Sequence, residues 1–256
     1  MLRVRGVELK VNKQIDVSLS IVIPVLNEAH ALPRILAAVE QWQQGFETEV
    51  IVVDGGSTDA TLDVAHRYQC RVLSAPKGRA SQMNAGAVLA TGEVLLFLHG
   101  DTTLPSSACA LIDAALGGGA TVFKAHRRAQ WGWFDVRIDS SKWAFRLIEF
   151  CMNLRARLTR VCTGDQALFV RRELFESVGG YPDLELMEDV ALSKILRKAA
   201  PANPIEARAI TSGRRWLKQG VVRTVLLMWE LRLRYFFGES PRALHRRYYP
   251  DQSEKT

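Results

Sequence analysis

Five consecutive apolar residues, Val94-Leu95-Leu96-Phe97-Leu98, stop abruptly at His99-Gly100-Asp101-Thr102. No polar side chain interrupts the run, so it predicts a strand covered on both faces, the situation of a strand inside a parallel sheet flanked by helices. That commits the rest of the chain to supplying the covering layers. Ligands of open α/β sheets collect just beyond the carboxyl ends of the strands. Asp101 therefore stands where a metal ion or a phosphate-bearing ligand would be held.

The preceding residues supply those layers. Ser18 to Leu26 (SLSIVIPVL) reads as a first buried strand ending at Asn27-Glu28. Leu32, Ile35, Leu36, Val39 and Trp42 follow at helical spacing, with Pro33 tolerated in the first turn. Glu49 to Val53 makes a second strand and breaks at Asp54-Gly55-Gly56-Ser57-Thr58-Asp59, where the glycines allow a tight turn and Ser57 or Thr58 can cap a helix. Arg71 to Ser74 is a short third strand, and Ala80 to Ala90 a helix entered through Lys77-Gly78-Arg79. This β-α-β-α-β-α-β order predicts an α/β fold, a parallel sheet with helices on both faces.

Beyond Pro105 the pattern loosens. It predicts helices over 106–116, 143–158, 172–178 and 190–197, and strands over 121–125 and 167–170. A hinge is expected at Gly117-Gly118-Gly119, and a last edge strand over Ile205 to Ile210. The chain divides into an extension (1–17), a unit over 18–212 with halves 18–105 and 106–212, and a helical tail (213–256).

The formal net charge of +7 resides in that tail. Nine Arg or Lys against Glu230 and Glu239 between Gly213 and Arg247 account for the whole excess. This predicts a local anionic partner and not a nucleic-acid-binding fold. The four cysteines have neither CxxC nor zinc-ligand spacing, and charges interrupt the first sixteen residues. A reduced, cytoplasmic setting without a secretory leader is expected. Neither G-x-G-x-x-G nor G-x-x-x-x-G-K-[ST] occurs, which removes the main support for dinucleotide-cofactor and P-loop chemistry.

Residues 220–237 (GVVRTVLLMWELRLRYFF) are apolar but too charged to span a bilayer. As a helix they place Arg223, Glu230 and Arg234 on one strip, with Arg232 opposite on an otherwise broad apolar face. This suits peripheral contact with an anionic membrane surface. It equally suits packing on the preceding unit or on a second subunit.

Glu28, Asp54 and Asp101 all follow strands of the predicted sheet, where they either face one crevice or each cap a helix; Asp59 has the same two options. Their context resembles family 2 glycosyltransferases. The resemblance lies in Ser20-Ile21-Val22-Ile23-Pro24-Val25-Leu26-Asn27-Glu28, Val50 to Asp59, Arg79 to Gly86, His99-Gly100-Asp101, Gly164-Asp165-Gln166, Gly179-Gly180-Tyr181-Pro182 and Met187-Glu188-Asp189. It covers roughly 18–216. The run from Gly164 to Phe175 with Leu186 to Val190 is similar to a bacterial subgroup named for arsenosugar biosynthesis.

The resemblance implies a GT-A fold, a nucleotide-diphosphate sugar donor and inversion at the anomeric carbon. Asp101 would hold Mn²⁺ or Mg²⁺, which neutralises the departing diphosphate. His99 replaces the first aspartate of the family's D-x-D element and would bind a borderline metal, contact ribose or phosphate, or sit in the core. Glu28, Asp54 and Asp59 would hold the nucleoside, and Arg79 the phosphates. Asp189 matches the family's general base, with Glu188 the competing carboxylate. Arg214-Arg215-Trp216 resembles the end of the Q-x-x-R-W element, giving Arg215 a place at the diphosphate and Trp216 one on a sugar face. His126, Arg127, Trp131 and Trp133 are candidates for the acceptor side. Membrane contact by the tail would favour a lipid-linked hydroxyl acceptor. Two other readings are a nucleotidyltransferase acting on a sugar phosphate, and an inactive nucleotide-sugar-binding protein, the latter prompted by His99.

Overall fold

The computed structural model describes residues 3–4, 7–8, 18–42, 46–117 and 129–249. Two dipeptide strands near the N-terminus, β1 (Arg3–Val4) and β2 (Val7–Glu8), pair antiparallel. The expected alternation follows: β3 (Leu19–Val25), α1 (Leu32–Trp42), β4 (Thr48–Asp54), α2 (Thr61–Ala65), β5 (Arg71–Ser74), α3 (Arg79–Leu89) and β6 (Val94–Phe97). These strands lie in the order β5-β4-β3-β6 and all run parallel.

Both faces of the sheet are covered, as the uninterrupted apolar runs require. Ile21 and Ile23 of β3 face Leu32, Ile35, Leu36 and Val39 of α1, while Val22, Ile51 and Val53 pack with Ala80, Met83 and Ala87 of α3. Close approach of α3 depends on Gly86. A Cβ there would overlap Val22 Cγ1 and stand 3.0 Å from Val53 Cγ2.

The second half contributes β7 (Thr102–Thr103), α4 (Ala108–Ala115), β8 (Trp131–Gly132), β9 (Phe134–Asp139), α5 (Trp143–Thr159), β10 (Phe169–Arg171), α6 (Arg172–Ser177), α7 (Glu188–Ala199) and β11 (Ile205–Ser212). A 3₁₀ turn at Gly164–Gln166 precedes β10. Strand β10 pairs antiparallel with β6 and with β8, completing a six-stranded sheet. The halves 18–105 and 106–212 therefore share one sheet.

Three expectations need correction. β11 is not an edge strand: it lies between β7 and β9, antiparallel to the first and parallel to the second. β9 was not anticipated, although its alternating burial follows the period-2 pattern of Phe134, Val136 and Ile138. Trp131 and Trp133 are fully buried. Their rings stack at 5.4 Å, and Trp131 Nε1 donates to the Ala200 carbonyl, so both belong to the core and not to an acceptor wall. Gly118, Gly119, the strand expected over 121–125, His126 and Arg127 lie outside the described residues.

The tail forms α8 (Arg214–Gln219), α9 (Val221–Phe236) and α10 (Pro241–Tyr248). Leu231 of α9 and Leu244 and Tyr248 of α10 pack with Val161, Leu186, Met187 and Val190. Only this narrow stripe of α9 docks; Val222, Leu226, Trp229, Leu233 and Phe236 stay exposed. The tail also neutralises part of its own charge, because Arg234 and Arg247 both pair with Glu230 and Glu239. Among the described residues no helix is long and apolar enough to cross a membrane.

Gly86→Ala tests the α3 contact. Overpacking of this kind costs about 1–3 kcal/mol. Urea unfolding should show that loss as a lower midpoint at unchanged slope.

Candidate active site

Two loops at the carboxyl edge of the sheet are laced together. The loop after β3 offers the Asn27, Glu28 and Ala29 backbone N–H groups to Ser57 Oγ (2.9 Å), Thr61 Oγ1 (2.8 Å) and Asp59 Oδ2 (3.2 Å). In return Asn27 Oδ1 accepts from the Thr58 N–H at 2.8 Å. Asp54 ends β4 buried, and its carboxylate accepts from the Gly56 and Ser57 N–H groups and the Ser57 hydroxyl. Asp59 accepts from both the N–H and the hydroxyl of Thr61, and the hydroxyl contact is the larger cause holding its carboxyl below the usual range. Beneath them Gln82 Nε2 donates to the Val25 and Val53 carbonyls, fixing the ends of β3 and β4. Asp54 and Asp59 thus brace the two loops that form this rim.

The end of β6 meets the 3₁₀ turn. The buried His99 ring lies against Gly164, where a Cβ would overlap the imidazole, and His99 Nδ1 is 3.4 Å from Asp165 Oδ1. The Gly164 N–H donates at 2.8 Å to Asp189 Oδ2, and the Val190 N–H donates at 2.7 Å to Asp189 Oδ1. Asp189 is therefore held in place in the first turn of α7, next to the buried Glu188. Met187, at the helix N-cap, takes a left-handed backbone (φ 68°).

Charges crowd at this junction. Burial raises the Asp101 pKa, and Asp165 raises it further, against the fields of His99, Arg79 and Arg214. Burial also raises Glu28, although Arg214 Nη2 donates to its Oε2 at 3.1 Å. Desolvation works against the Arg79 charge, but the field of Glu188, aided by Asp165, outweighs it and lifts its pKa. For Asp165 the hydrogen bond and charge of His99 overcome the cost of burial and lower its pKa.

No group of three His, Cys, Asp or Glu side chains forms a ready-made metal cage among the described residues. Such a cage is not needed for Mg²⁺ or Mn²⁺, which bind through one or two carboxylates completed by phosphates and water. Asp101, with the field of Asp165 pressing on it, fits that use: a hard cation would relieve the repulsion which now raises its pKa.

A cavity of about 960 Å³ opens here, lined by Arg79, His99, Asp165, Glu188 and Asp189 at one end and by α5 and α9 along its sides. Five of the residues singled out from the sequence thus group closely: Arg79, His99, Asp101, Glu188 and Asp189. Glu28 joins them through Arg214, whose field reaches Asp101. Asp54 and Asp59 stand on the neighbouring rim. Trp216 packs edge-to-face on Phe145 at 6.2 Å and is not among the cavity-lining residues. The Arg215 side chain lies outside the described residues; its neighbour Arg214 reaches the site instead. Asp165 escaped the sequence reading, although its motif was noted. Arg155 and Arg232 escaped too, since neither adjoins a motif.

Glu188 gives this site a pH signature. Burial, then the adjacent Asp189, lift its carboxyl from 4.5 to about 7. A raised folded-state pKa means stability that is complete below the unfolded value and is lost as pH rises through the folded one. Glu188→Gln should therefore melt like the wild type near pH 4.5 and progressively above it towards pH 8. A penalty of about 1 kcal/mol would appear as about 2–4 °C in Tm.

Known proteins share this fold in outline. The family model described as Glycosyl transferase family 2 matches residues 20–179, more than half of the chain. The chain is 33% identical over 174 residues to a PGL/p-HBAD biosynthesis glycosyltransferase of Mycobacterium tuberculosis. That match covers 63% of this chain and 62% of the relative, so the chain spans less than two thirds of that protein. Staphylococcus aureus TarS superposes with a TM-score of 0.60 at 18% identity, covering 77% of this chain and 60% of TarS. A Pyrobaculum calidifontis mannosyltransferase solved with GDP-Man and Mn²⁺ superposes at 0.57 with 21% identity, covering 78% of this chain and 57% of that one. At these identities the two structures establish the GT-A fold. With the family model matching more than half of the chain, the chain belongs to the family 2 glycosyltransferases.

Proposed function

We propose that this glycosyltransferase moves a sugar from a UDP- or GDP-linked donor to a hydroxyl-bearing acceptor, inverting the anomeric carbon. One observation carries the reading: Asp165 and Asp189 line the same cavity end, and Asp101 lies within the field of Asp165, His99 and Arg79 there. The donor's diphosphate would lie against Asp101 through Mn²⁺ or Mg²⁺, which supplies neutralisation of the charge that grows as the glycosidic bond breaks. The Mn²⁺ and GDP-Man bound by the structurally similar mannosyltransferase support this choice. Arg79 and Arg214 would share the phosphate charge, and the Asn27–Thr58 rim would seat the nucleoside.

Asp189 is the general base. Two backbone N–H groups orient its carboxylate, and it is more open than Glu188. The acceptor oxygen bonds to the anomeric carbon, its proton passes to Asp189, and the bond to the diphosphate breaks with the electrons leaving on the nucleoside diphosphate. His99 in place of an aspartate does not strip the site of this chemistry, because Asp165 adds a carboxylate beside it.

Release of UDP or GDP from nucleotide sugars measures the proposal. Asp189→Asn should lower turnover by about 10²–10⁴-fold, leaving the thermal shift given by UDP or GDP with Mn²⁺ unchanged. Asp101→Asn should abolish the Mn²⁺-dependent part of that shift. No shift with any nucleoside diphosphate, or pyrophosphate release from a nucleoside triphosphate and a sugar phosphate, defeats the reading.

The exposed apolar residues of α9, joined by Trp143, Leu147 and Phe150 of α5, form a surface suited to peripheral contact with a membrane and a lipid-linked acceptor. In flotation, the wild-type chain should rise with vesicles of phosphatidylcholine and phosphatidylglycerol, and Trp229→Glu should remain below. Absence of the wild type from the vesicle fraction rules the contact out.

A further inference from the structure

The cavity continues away from the carboxylates as a groove whose walls are not those of a sugar site. Trp143, Leu147 and Cys151 of α5 face Leu226, Trp229 and Leu233 of α9. These are exposed side chains, Trp143 at 79% and Trp229 at 72%, on the two helices that flank the opening. Sugars are held by dense hydrogen bonding around a stacked ring, whereas a long apolar wall of this kind gains free energy mainly by covering hydrocarbon.

Two arginines interrupt this apolar lining where it joins the carboxylates. Arg155, from α5, has Nε and Nη2 buried with no hydrogen-bond partner among the described residues. Arg232, from α9, lines the same cavity. Desolvation lowers the pKa of both, to about 10 for Arg155, whose charge is further opposed by Arg232. Asp189 lies within the field of each and offsets only part of this cost. Two buried guanidinium nitrogens without a partner are costly unless an anion completes them, and two arginine forks lining one cavity match the oxygens of a phosphate. This also explains why Arg232 alone among the α9 charges stands opposite the strip formed by Arg223, Glu230 and Arg234.

We infer that the acceptor is a long-chain lipid phosphate, its phosphate held by Arg155 and Arg232 beside Asp189 and its chain laid in the groove between α5 and α9. This rests on the glycosyl-transfer reading and narrows its acceptor hydroxyl to the P–OH of a phosphate monoester, whose oxygen bonds to the anomeric carbon as its proton passes to Asp189 and the nucleoside diphosphate departs with the electrons of the broken bond. The chain enters from the exposed side of the two helices, and the anion is drawn inward to the only part of the groove that carries unmatched positive charge among the described residues.

Titration calorimetry on the full chain, in detergent below its micelle concentration, separates the possibilities. The ligands are farnesyl phosphate, farnesol and inorganic phosphate, with UDP and Mn²⁺ titrated into the same preparations. Farnesyl phosphate should bind at least about 10-fold tighter than either farnesol or inorganic phosphate, the scale of one hydrogen bond to a charged group. Arg155→Gln and Arg232→Gln should each remove most of that preference and leave the UDP–Mn²⁺ affinity unchanged. Leu226→Glu should weaken farnesyl phosphate and farnesol alike. Thermal melts of the variants at wild-type Tm or above establish that they fold. Equal affinity for farnesol and farnesyl phosphate overturns the inference. So does a loss of UDP binding in the arginine variants, which would give these side chains to the donor. Failure of UDP to bind the wild type while farnesyl phosphate still does would sink the donor reading and leave this lipid site standing.

Discussion

Like charges pressed together are the constraint on which this protein turns. Asp101 meets Asp165 and Glu188 meets Asp189, in a place where burial already disfavours ionisation. Side chains alone relieve this only in part: His99 pairs with Asp165, Arg214 with Glu28, and Arg79 spreads its field over Glu188 and Asp165. The remaining imbalance is what makes the cavity receptive. In the proposed reaction, a diphosphate arriving with a divalent cation would bring positive charge to the carboxylates and negative charge to the arginines in one step.

Topology explains why these groups meet. Parallel strands deliver Glu28, Asp54 and Asp101 to a single edge because each chain segment leaves the sheet in the same direction. β10 runs the other way against β6, with Phe169 opposite Leu96, so the residues that precede it arrive at the edge where its neighbours end. The 3₁₀ turn with Asp165 is thereby set against His99, and the bare Cα of Gly164 permits the approach. Gly164 then passes the alignment on through its N–H to Asp189. A strand inserted in parallel would have carried that turn to the opposite edge.

How much of this was readable beforehand follows from the range of the forces involved. Two-sided burial writes itself into local sequence, so β3, β4, β6, α1 and α3 were found within one or two residues, whereas α2 had no predicted bounds and is capped at Ala60, not at Ser57 or Thr58. The carboxylates after those strands were legible for the same reason. β9 and the central place of β11 depend on partners far along the chain, and Ile205 to Ile210 carries no mark distinguishing a middle strand from an edge. Trp131 and Trp133 look like ligand-stacking aromatics in one dimension and prove to be core in three. Arg155 and Arg232 sit in helices where an arginine ordinarily faces solvent; here both line the cavity between α5 and α9.

The tail is more than an appendage to this centre. Leu231, Leu244 and Tyr248 rest on Val161, Leu186, Met187 and Val190, the residues that flank the 3₁₀ turn and the start of α7. Position 189 thus has its footing on the same small cluster that fastens α9 and α10 to the body. Any force that peels α9 outward is transmitted by shared van der Waals contact to the start of α7, making the orientation of the Asp189 carboxylate a mechanical readout of what the outer helix is touching.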